Sequence, residues 1–399
     1  MNRIICVMLF CMAASQAFAQ LPSCNGVRYR NYAFTGVDST MNVQYGQNVT
    51  ANNVTQNLIM DIYQPHGDTV MRRPLIIFIH GGAFVGGNRT EGTGFCGLMA
   101  LEGYVAATID YRLIDVPVHD SLTVTDGMIK AISDAKAAIR YFVEDAATAN
   151  AYKIDTNYIF IAGGSAGAIT AVATTYLNPA DNIPTYVLNA INNNGGFSGN
   201  SSTNTNYGTP IKGVLSYSGA ILYKDWISAG EPPMLSVHDI GDTIVPCGYD
   251  DSKAFAFSMY MYGTCEMKGE ANLKGVYNDT MIFAGSGHGA YFQNNQALLD
   301  VLQRTNNFLY TLICTNTVSI NDISDVGKVT IYPNPVNDQL QISNPENVAI
   351  KNVKIYSING ALMSVHSSSI IATNNLPSGL YFLTIETDMG TTMRKLVKE

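Results

Sequence analysis

The sequence predicts an α/β fold with a mostly parallel central sheet, followed by a small all-β domain. Two observations carry this. Between about residues 25 and 314, short apolar runs alternate with longer stretches at helical spacing. Beyond a polar linker, Thr315 to Lys328, the pattern changes to short β-like runs separated by Asn, Pro and Gly turns.

The runs Pro74 to Ile79, Tyr104 to Ile109, Tyr158 to Ala162, Ile211 to Tyr217 and Pro233 to Val237 show little apolar/polar alternation, as strands covered on both faces do. Leu58 to Tyr63 alternates better and reads as an antiparallel strand leading into the sheet. Between the runs, Gly127 to Glu144 places Ile129, Ile132, Ala135, Ile139 and Phe142 at helical spacing, and a second helix begins at Ala166 and reaches Tyr176. Asp279 to Phe283 reads as a last strand, and Gln293 to Leu312 as a closing helix with Leu298, Leu302, Phe308 and Leu312 inward. Residues 178–210, rich in Asn, Ser and Gly, are too long for an ordinary connection and read either as a solvated loop or as a lid-like insertion. In the tail, Val329 to Pro335, Gln339 to Ser343, Ala349 to Ile358 and Leu380 to Glu386 are the expected strands of a sandwich-like domain over 329–399.

Composition fits this reading. The 399 residues are 47% hydrophobic, enough for a sizeable core, and 23 basic against 31 acidic residues leave a net charge of −8 with no basic cluster, which argues against a nucleic-acid partner. Arg3, the apolar run Ile4 to Ala14 and Ala17-Phe18-Ala19 read as a signal peptide over residues 1–19, so the exported chain is expected to start near Gln20. A lipid anchor at Cys24 competes, but that cysteine lies well past the apolar run and follows Leu21-Pro22-Ser23. No later stretch is long and apolar enough for a spanning helix. With Cys6 and Cys11 in the signal, Cys24, Cys96, Cys247, Cys265 and Cys314 remain. An odd number leaves at least one thiol free, and Cys247 with Cys265, flanking one short helix-like segment, is the favoured pair. No Cys/His spacing resembles a zinc site, and no metal or cofactor is implied.

Three motifs carry chemistry. Gly163-Gly164-Ser165-Ala166-Gly167 falls where a β-run ends and a helix begins, so small residues allow the strained turn that projects a serine hydroxyl. The helix N-terminus beside it offers an N–H and a partial positive charge to an oxyanion. A serine needs a base and an orienting acid, expected later in the chain in the order acid, then histidine. His288, in Gly285-Ser286-Gly287-His288-Gly289 after the last strand, is the candidate base. Asp239 and Asp242 can both approach it, and the position deeper in the loop favours Asp242. His80-Gly81-Gly82-Ala83-Phe84 supplies a loop whose Gly82 and Ala83 N–H groups, with that of Ala166, are the candidate oxyanion donors, His80 bracing the loop. Phe84 and the sole tryptophan, Trp226, are candidate pocket residues.

With HGGAF, GGSAG, DIGDTIVP and GSGHG in that order, residues 25 to 314 resemble the α/β-hydrolase superfamily, in its carboxylesterase and acetylesterase branch with an HGG oxyanion loop. Ala83 stands where a third glycine is usual, and Gly164 where an acidic residue often precedes the serine. The tail, with Tyr332-Pro333-Asn334-Pro335, Ile355 to Gly360, Leu376 to Tyr381 and the ending Lys395 to Lys398, is similar to the C-terminal sorting domain of the type IX secretion system of Bacteroidetes. The resemblances imply an α/β-hydrolase fold and a Ser-His-Asp serine esterase without cofactor. They also imply export across the outer membrane through the type IX machinery, with the protein then released or held at the cell surface. An acetyl or feruloyl ester of plant polysaccharide is the expected substrate. A prolyl-oligopeptidase-like peptidase would need a large extra domain for which the sequence has no N-terminal room, and a hydrolase-fold adhesin would be expected to have lost the triad.

Overall fold

The computed structural model describes residues 23–315, 329–343, 349–357, 362–387 and 390–399. The expected signal segment 1–19 and all of the expected linker except Thr315 lie outside the described residues. The chain divides into two compact units, residues 1–316 and 317–399.

The first unit contains strands β1 (Val37–Val49), β2 (Thr55–Pro65) and β3 (Arg73–Ile79), helix α1 (Thr93–Glu102), strand β4 (Val105–Ile109), helix α2 (Ser121–Ala147), strand β5 (Ile154–Gly164), and helices α3 (Ala166–Tyr176) and α4 (Thr185–Asn193). It continues with strands β6 (Gly213–Tyr217), β7 (Ala220–Ile221), β8 (Met234–Asp239), β9 (Tyr249–Asp251) and β10 (Tyr260–Gly263), helix α5 (Thr264–Lys274), strand β11 (Asn278–Phe283) and helix α6 (Asn295–Cys314). The main sheet runs in the order β1-β2-β4-β3-β5-β6-β8-β11. The strands from β4 to β11 in this order pair in parallel, and β2 and β1 add an antiparallel edge.

Strand periodicity explains the layering. Leu75, Ile77, Ile79, Ile159 and Ile161 point to one face and pack against Met128, Ile132, Phe142 and Ile169 of α2 and α3. Their neighbours Ile76, Phe160, Ala162, Leu215 and Leu235 point to the other, against Met99, Phe308 and Leu309 of α1 and α6. Two buried faces explain the missing alternation in the sequence. Helix α2 starts six residues before the apolar periodicity does, because the Asp120 carboxylate accepts the Thr123 N–H and caps it.

The insertion over 178–210 contains α4 and is tied down. Ser201 is buried among Arg112, Ser133 and Asp134, and Asn194 Nδ2 donates to Asp126 on α2. Cys247 and Cys265 are bonded, but the segment between them is the hairpin β9–β10 rather than a helix. Cys24 pairs with Cys314, closing the ends of the unit, a pair that spacing did not suggest. Cys96 stays free and buried, and desolvation pushes its thiol well up.

The second unit contains β12 (Thr330–Tyr332), β13 (Gln339–Ser343), β14 (Ile350–Ser357), β15 (Leu362–His366), β16 (Ile370–Ala372), β17 (Gly379–Thr387) and β18 (Gly390–Lys398). Two antiparallel sheets, β12-β13-β16 and β15-β14-β17-β18, share one core of Leu340, Ile342, Val353, Ile355, Leu383 and Ile385.

Candidate active site

The candidate catalytic residues sit at the carboxyl ends of the parallel strands, where open α/β sheets form their crevices. The His80 to Phe84 loop leaves β3, Ser165 follows β5, Asp242 follows β8 and His288 follows β11.

At Ser165 the backbone has φ 53° and ψ −122°, outside the regions an L-residue normally occupies. The turn is fixed by its neighbours. The Ser165 N–H donates to Tyr217 O at 2.9 Å, and α3 starts at the next residue. A Cβ on Gly163 would stand 2.3 Å from the Gly167 carbonyl carbon, and one on Gly167 would stand 2.0 Å from Ile79 O. These two glycines let β5, α3 and the end of β3 approach closely. Gly164, by contrast, has open space around its Cβ position, so the glycine that replaces the family's acidic residue is not forced by packing.

Three side chains form one hydrogen-bonded chain. His288 Nε2 lies 2.7 Å from Ser165 Oγ, and His288 Nδ1 lies 2.6 Å from Asp242 Oδ2. Asp242 is buried, and its Oδ1 accepts the N–H groups of Ile244 and Val245 at 2.9 and 3.1 Å. Burial alone would push its carboxyl up. The His238 imidazole 3.4 Å away, the hydrogen bond from His288 and the attraction of a charged His288 outweigh this and hold it well below the usual carboxylate range. An imidazole between a hydroxyl and a buried carboxylate can accept the hydroxyl proton and be stabilised as a cation.

The neighbouring loop is built from consecutive left-handed residues, Gly82 (φ 99°), Ala83 (φ 50°) and Phe84 (φ 64°). A Cβ on Gly82 would meet Gly86 O at 2.2 Å, because the N–H groups of Val85 and Gly86 both fold back onto Gly82 O. Gly81 packs so closely that its Cβ position is 3.3 Å from Ser165 Cβ. Among the described residues, no backbone acceptor bonds the N–H of Gly82, Ala83 or Ala166. Buried His80 braces the loop: its Nδ1 lies 2.8 Å from Gly81 O, its ring stacks on Tyr111 at 4.4 Å, and burial pushes its pKa down. The Tyr111 hydroxyl donates to His80 O and Gly81 O at 3.2 and 3.1 Å.

Two expectations need correction. Trp226 is 0% exposed and packs on Tyr223, while Phe84 is 3% exposed and turned into the core against Tyr111. Both are core side chains and present no pocket surface.

Sequence reasoning missed His238 and the role of Asp239. His238 is fully buried, with Nε2 2.8 Å from Val245 O and Nδ1 3.0 Å from Thr264 Oγ1, and it stands 3.4 Å from Asp242 Oδ2. Asp239 accepts the Ala290 N–H at 2.7 Å and so ties the loop carrying His288. Their place at the end of a buried strand was the available signal.

Residues 60–221 match the BD-FAE family, which is esterase-like, and residues 330–399 match the family described as secretion system C-terminal sorting domain. The chain joins an esterase-like α/β-hydrolase domain to a secretion-system sorting domain. Esterase LipC of Mycobacterium tuberculosis (strain ATCC 25618 / H37Rv) is 30% identical to this chain over 149 residues, 37% of this chain and 30% of that protein. The chain thus spans about a third of the length of this curated relative. Two solved structures share the hydrolase domain's fold. A butyrate-bound esterase of the planctomycete Thermogutta terrifontis has TM-score 0.51 at 20% identity, covering 73% of this chain and 99% of its own. A truncated carbohydrate esterase from gut microbiota has TM-score 0.50 at 18% identity, covering 71% and 98%. Among the described residues of both domains no cluster of metal-binding side chains occurs, and no helix is long and apolar enough to cross a membrane.

Proposed function

We propose that the protein is a secreted serine carboxylic-ester hydrolase that works through a Ser165–His288–Asp242 triad and an acyl-enzyme intermediate. The observation that carries the reading is the unbroken chain from Ser165 Oγ to His288 Nε2 at 2.7 Å and from His288 Nδ1 to Asp242 Oδ2 at 2.6 Å.

In the first half-reaction Ser165 Oγ attacks the ester carbonyl while its proton passes to His288 Nε2. Asp242, kept ionised by its partners, fixes the Nδ1–H tautomer and offsets the imidazolium charge. The carbonyl electron pair moves onto oxygen, where the N–H groups of Gly82, Ala83 and Ala166 receive it. As the intermediate collapses, the C–O bond to the alcohol breaks and His288 returns its proton to the departing oxygen. Water then attacks the acyl-enzyme by the same route, yielding the free acid and restoring Ser165. The strained backbone at Ser165 and Ala83 supports this reading, because such conformations cost about 1–3 kcal/mol each and persist at sites that use them.

We infer an acylated polysaccharide, bearing acetyl or feruloyl esters, as the substrate. The reading is supported by the BD-FAE match and by a fold neighbour described as a carbohydrate esterase. The sorting domain supports export by the type IX system of a Bacteroidetes cell, after removal of a signal peptide.

Hydrolysis of p-nitrophenyl esters from acetate to laurate, of acetylated xylan and of methyl ferulate by the full chain beside Ser165→Ala tests the proposal. A loss of about 10⁴-fold or more in the variant is expected. Equal activity of the two proteins, or none on any ester, would overturn the reading.

A further inference from the structure

A concave feature lies among connections that follow strands β4, β7 and β8 and the insertion before β6. It is a cleft of about 210 Å³ whose walls include five tyrosines, Tyr186, Tyr223, Tyr249, Tyr260 and Tyr262 among them all. The walls come from the first turns of α2, the segment after β7 and the hairpin β9–β10, which all follow the carboxyl ends of strands, and from helix α4 of the insertion that precedes β6. The hairpin extends β7 into a small sheet of its own.

Chain connectivity ties the cleft to the triad. Tyr217 O receives the Ser165 N–H, and Tyr223 follows six residues later, so it stands within roughly 20 Å of chain reach. Tyr249 follows Asp242 by seven residues, within roughly 25 Å.

The lining chemistry selects the occupant. No lining side chain carries a formal charge, which disfavours phosphates, carboxylates and ammonium groups as ligands. Phenol hydroxyls join those of Ser121, Thr125 and Ser258, so donors and acceptors surround aromatic surface. Tyr249 and Tyr260 on the rim are 53% and 52% exposed, so their rings are open to a ligand. They are also held in place: Tyr249 stacks on Tyr262 at 4.3 Å and 22°, and the Tyr186 and Tyr223 hydroxyls meet at 2.9 Å. Rigid aromatic faces next to neutral hydroxyls match a molecule with apolar C–H faces and hydroxyl edges, which is a pyranose ring. The volume lies below that of a drug-sized pocket, which is roughly 300 Å³ or more, and suits one or two rings.

We propose that this tyrosine cleft is a sugar-binding subsite that holds a neutral oligosaccharide chain while its acylated unit reaches Ser165. The inference rests on the ester-hydrolase reading for its catalytic arm and stands apart from it for its binding arm. In this account the insertion over 178–210 contributes a binding wall through Tyr186.

The test uses the full chain and the single variants Tyr249→Ala, Tyr260→Ala and Tyr249→Phe. On acetylated xylo-oligosaccharides the alanine variants are expected to raise KM about tenfold and leave kcat within about twofold, with kcat/KM on p-nitrophenyl acetate unchanged. Tyr249→Phe, which keeps the ring, is expected to retain most of the wild-type KM. Equal effects on both substrates, or no effect on either, would overturn the subsite. A loss confined to methyl ferulate would assign the cleft to an aromatic acyl group and overturn it as well. Calorimetric titration of Ser165→Ala with unacetylated xylohexaose gives the second readout, since it needs no turnover. Binding that weakens about tenfold when Tyr249→Ala is added supports the subsite even if no ester is cleaved, and absence of binding contradicts it even if esters are cleaved.

Discussion

His238 Nε2 stands 3.4 Å from Asp242 Oδ2, the same oxygen that meets His288 Nδ1 at 2.6 Å. One buried carboxylate therefore lies between two imidazoles, and the inner one is pinned by Val245 O and by Thr264 at the start of α5.

His238→Phe removes one of the two imidazoles that lower the Asp242 carboxyl. A depressed carboxyl contributes stability that is present above its unfolded value and is lost as pH falls through the folded value. With the depression reduced, the acid unfolding midpoint moves to higher pH. Unpairing Val245 O and Thr264 costs a further ~1–3 kcal/mol at neutral pH. Denaturation followed by circular dichroism across pH 3 to 7 reads both effects. An unchanged acid midpoint would mean that His238 only fills space.

Asp242 and Asp239 separate in a kinetic comparison. Asp242→Asn is expected to lower kcat on the order of 10⁴-fold, because the amide selects the wrong tautomer of His288. Asp239→Ala frees Ala290 and loosens the His288 loop, lowering kcat by roughly 10- to 100-fold. The reverse ranking would make Asp239 the orienting acid.

Glycine substitutions should sort by geometry. Gly82→Ala places a Cβ 2.2 Å from Gly86 O at φ 99°, so the donor loop must shift, with kcat falling about 10²- to 10³-fold. Gly164→Ala meets nothing within 4 Å and should leave kcat near wild type. Steady-state rates of the two variants decide the matter; similar losses in both would refute the steric account.

Glu102 supplies a pH dependence of opposite sign. Burial raises its carboxyl to about 7, although Asn306 donates to it. Between the ordinary value and that one the folded chain binds more protons than the unfolded chain, so stability falls as pH rises through this window. Glu102→Gln keeps an acceptor for Asn306 and should raise Tm at pH 8 while leaving it nearly unchanged at pH 4.5. A Tm gain that is the same at both pH values would exclude the buried carboxyl as the cause.

The parallel sheet and the Ser, His and Asp positions were legible in the sequence because both depend on local patterns. Doubly buried strands lose alternation, and a strained turn requires glycine at 163 and 167. What was not legible depends on distant packing. The hairpin β9–β10 is made by pairing with β7, the Cys24–Cys314 bond joins residues 290 apart, and Phe84 and Trp226 gain their burial only when the core closes. The anchoring of residues 178–210 was equally hidden, since buried Ser201 looks like any loop serine until Arg112 and Asp134 surround it.

The most direct test of the central claim is to treat the full chain with paraoxon and locate the adduct by mass spectrometry. The account expects one diethylphosphoryl group, on the peptide containing Ser165, with p-nitrophenolate released in equal amount and ester hydrolysis lost in step. An adduct on another residue, or full hydrolytic activity after Ser165 is modified, would contradict it.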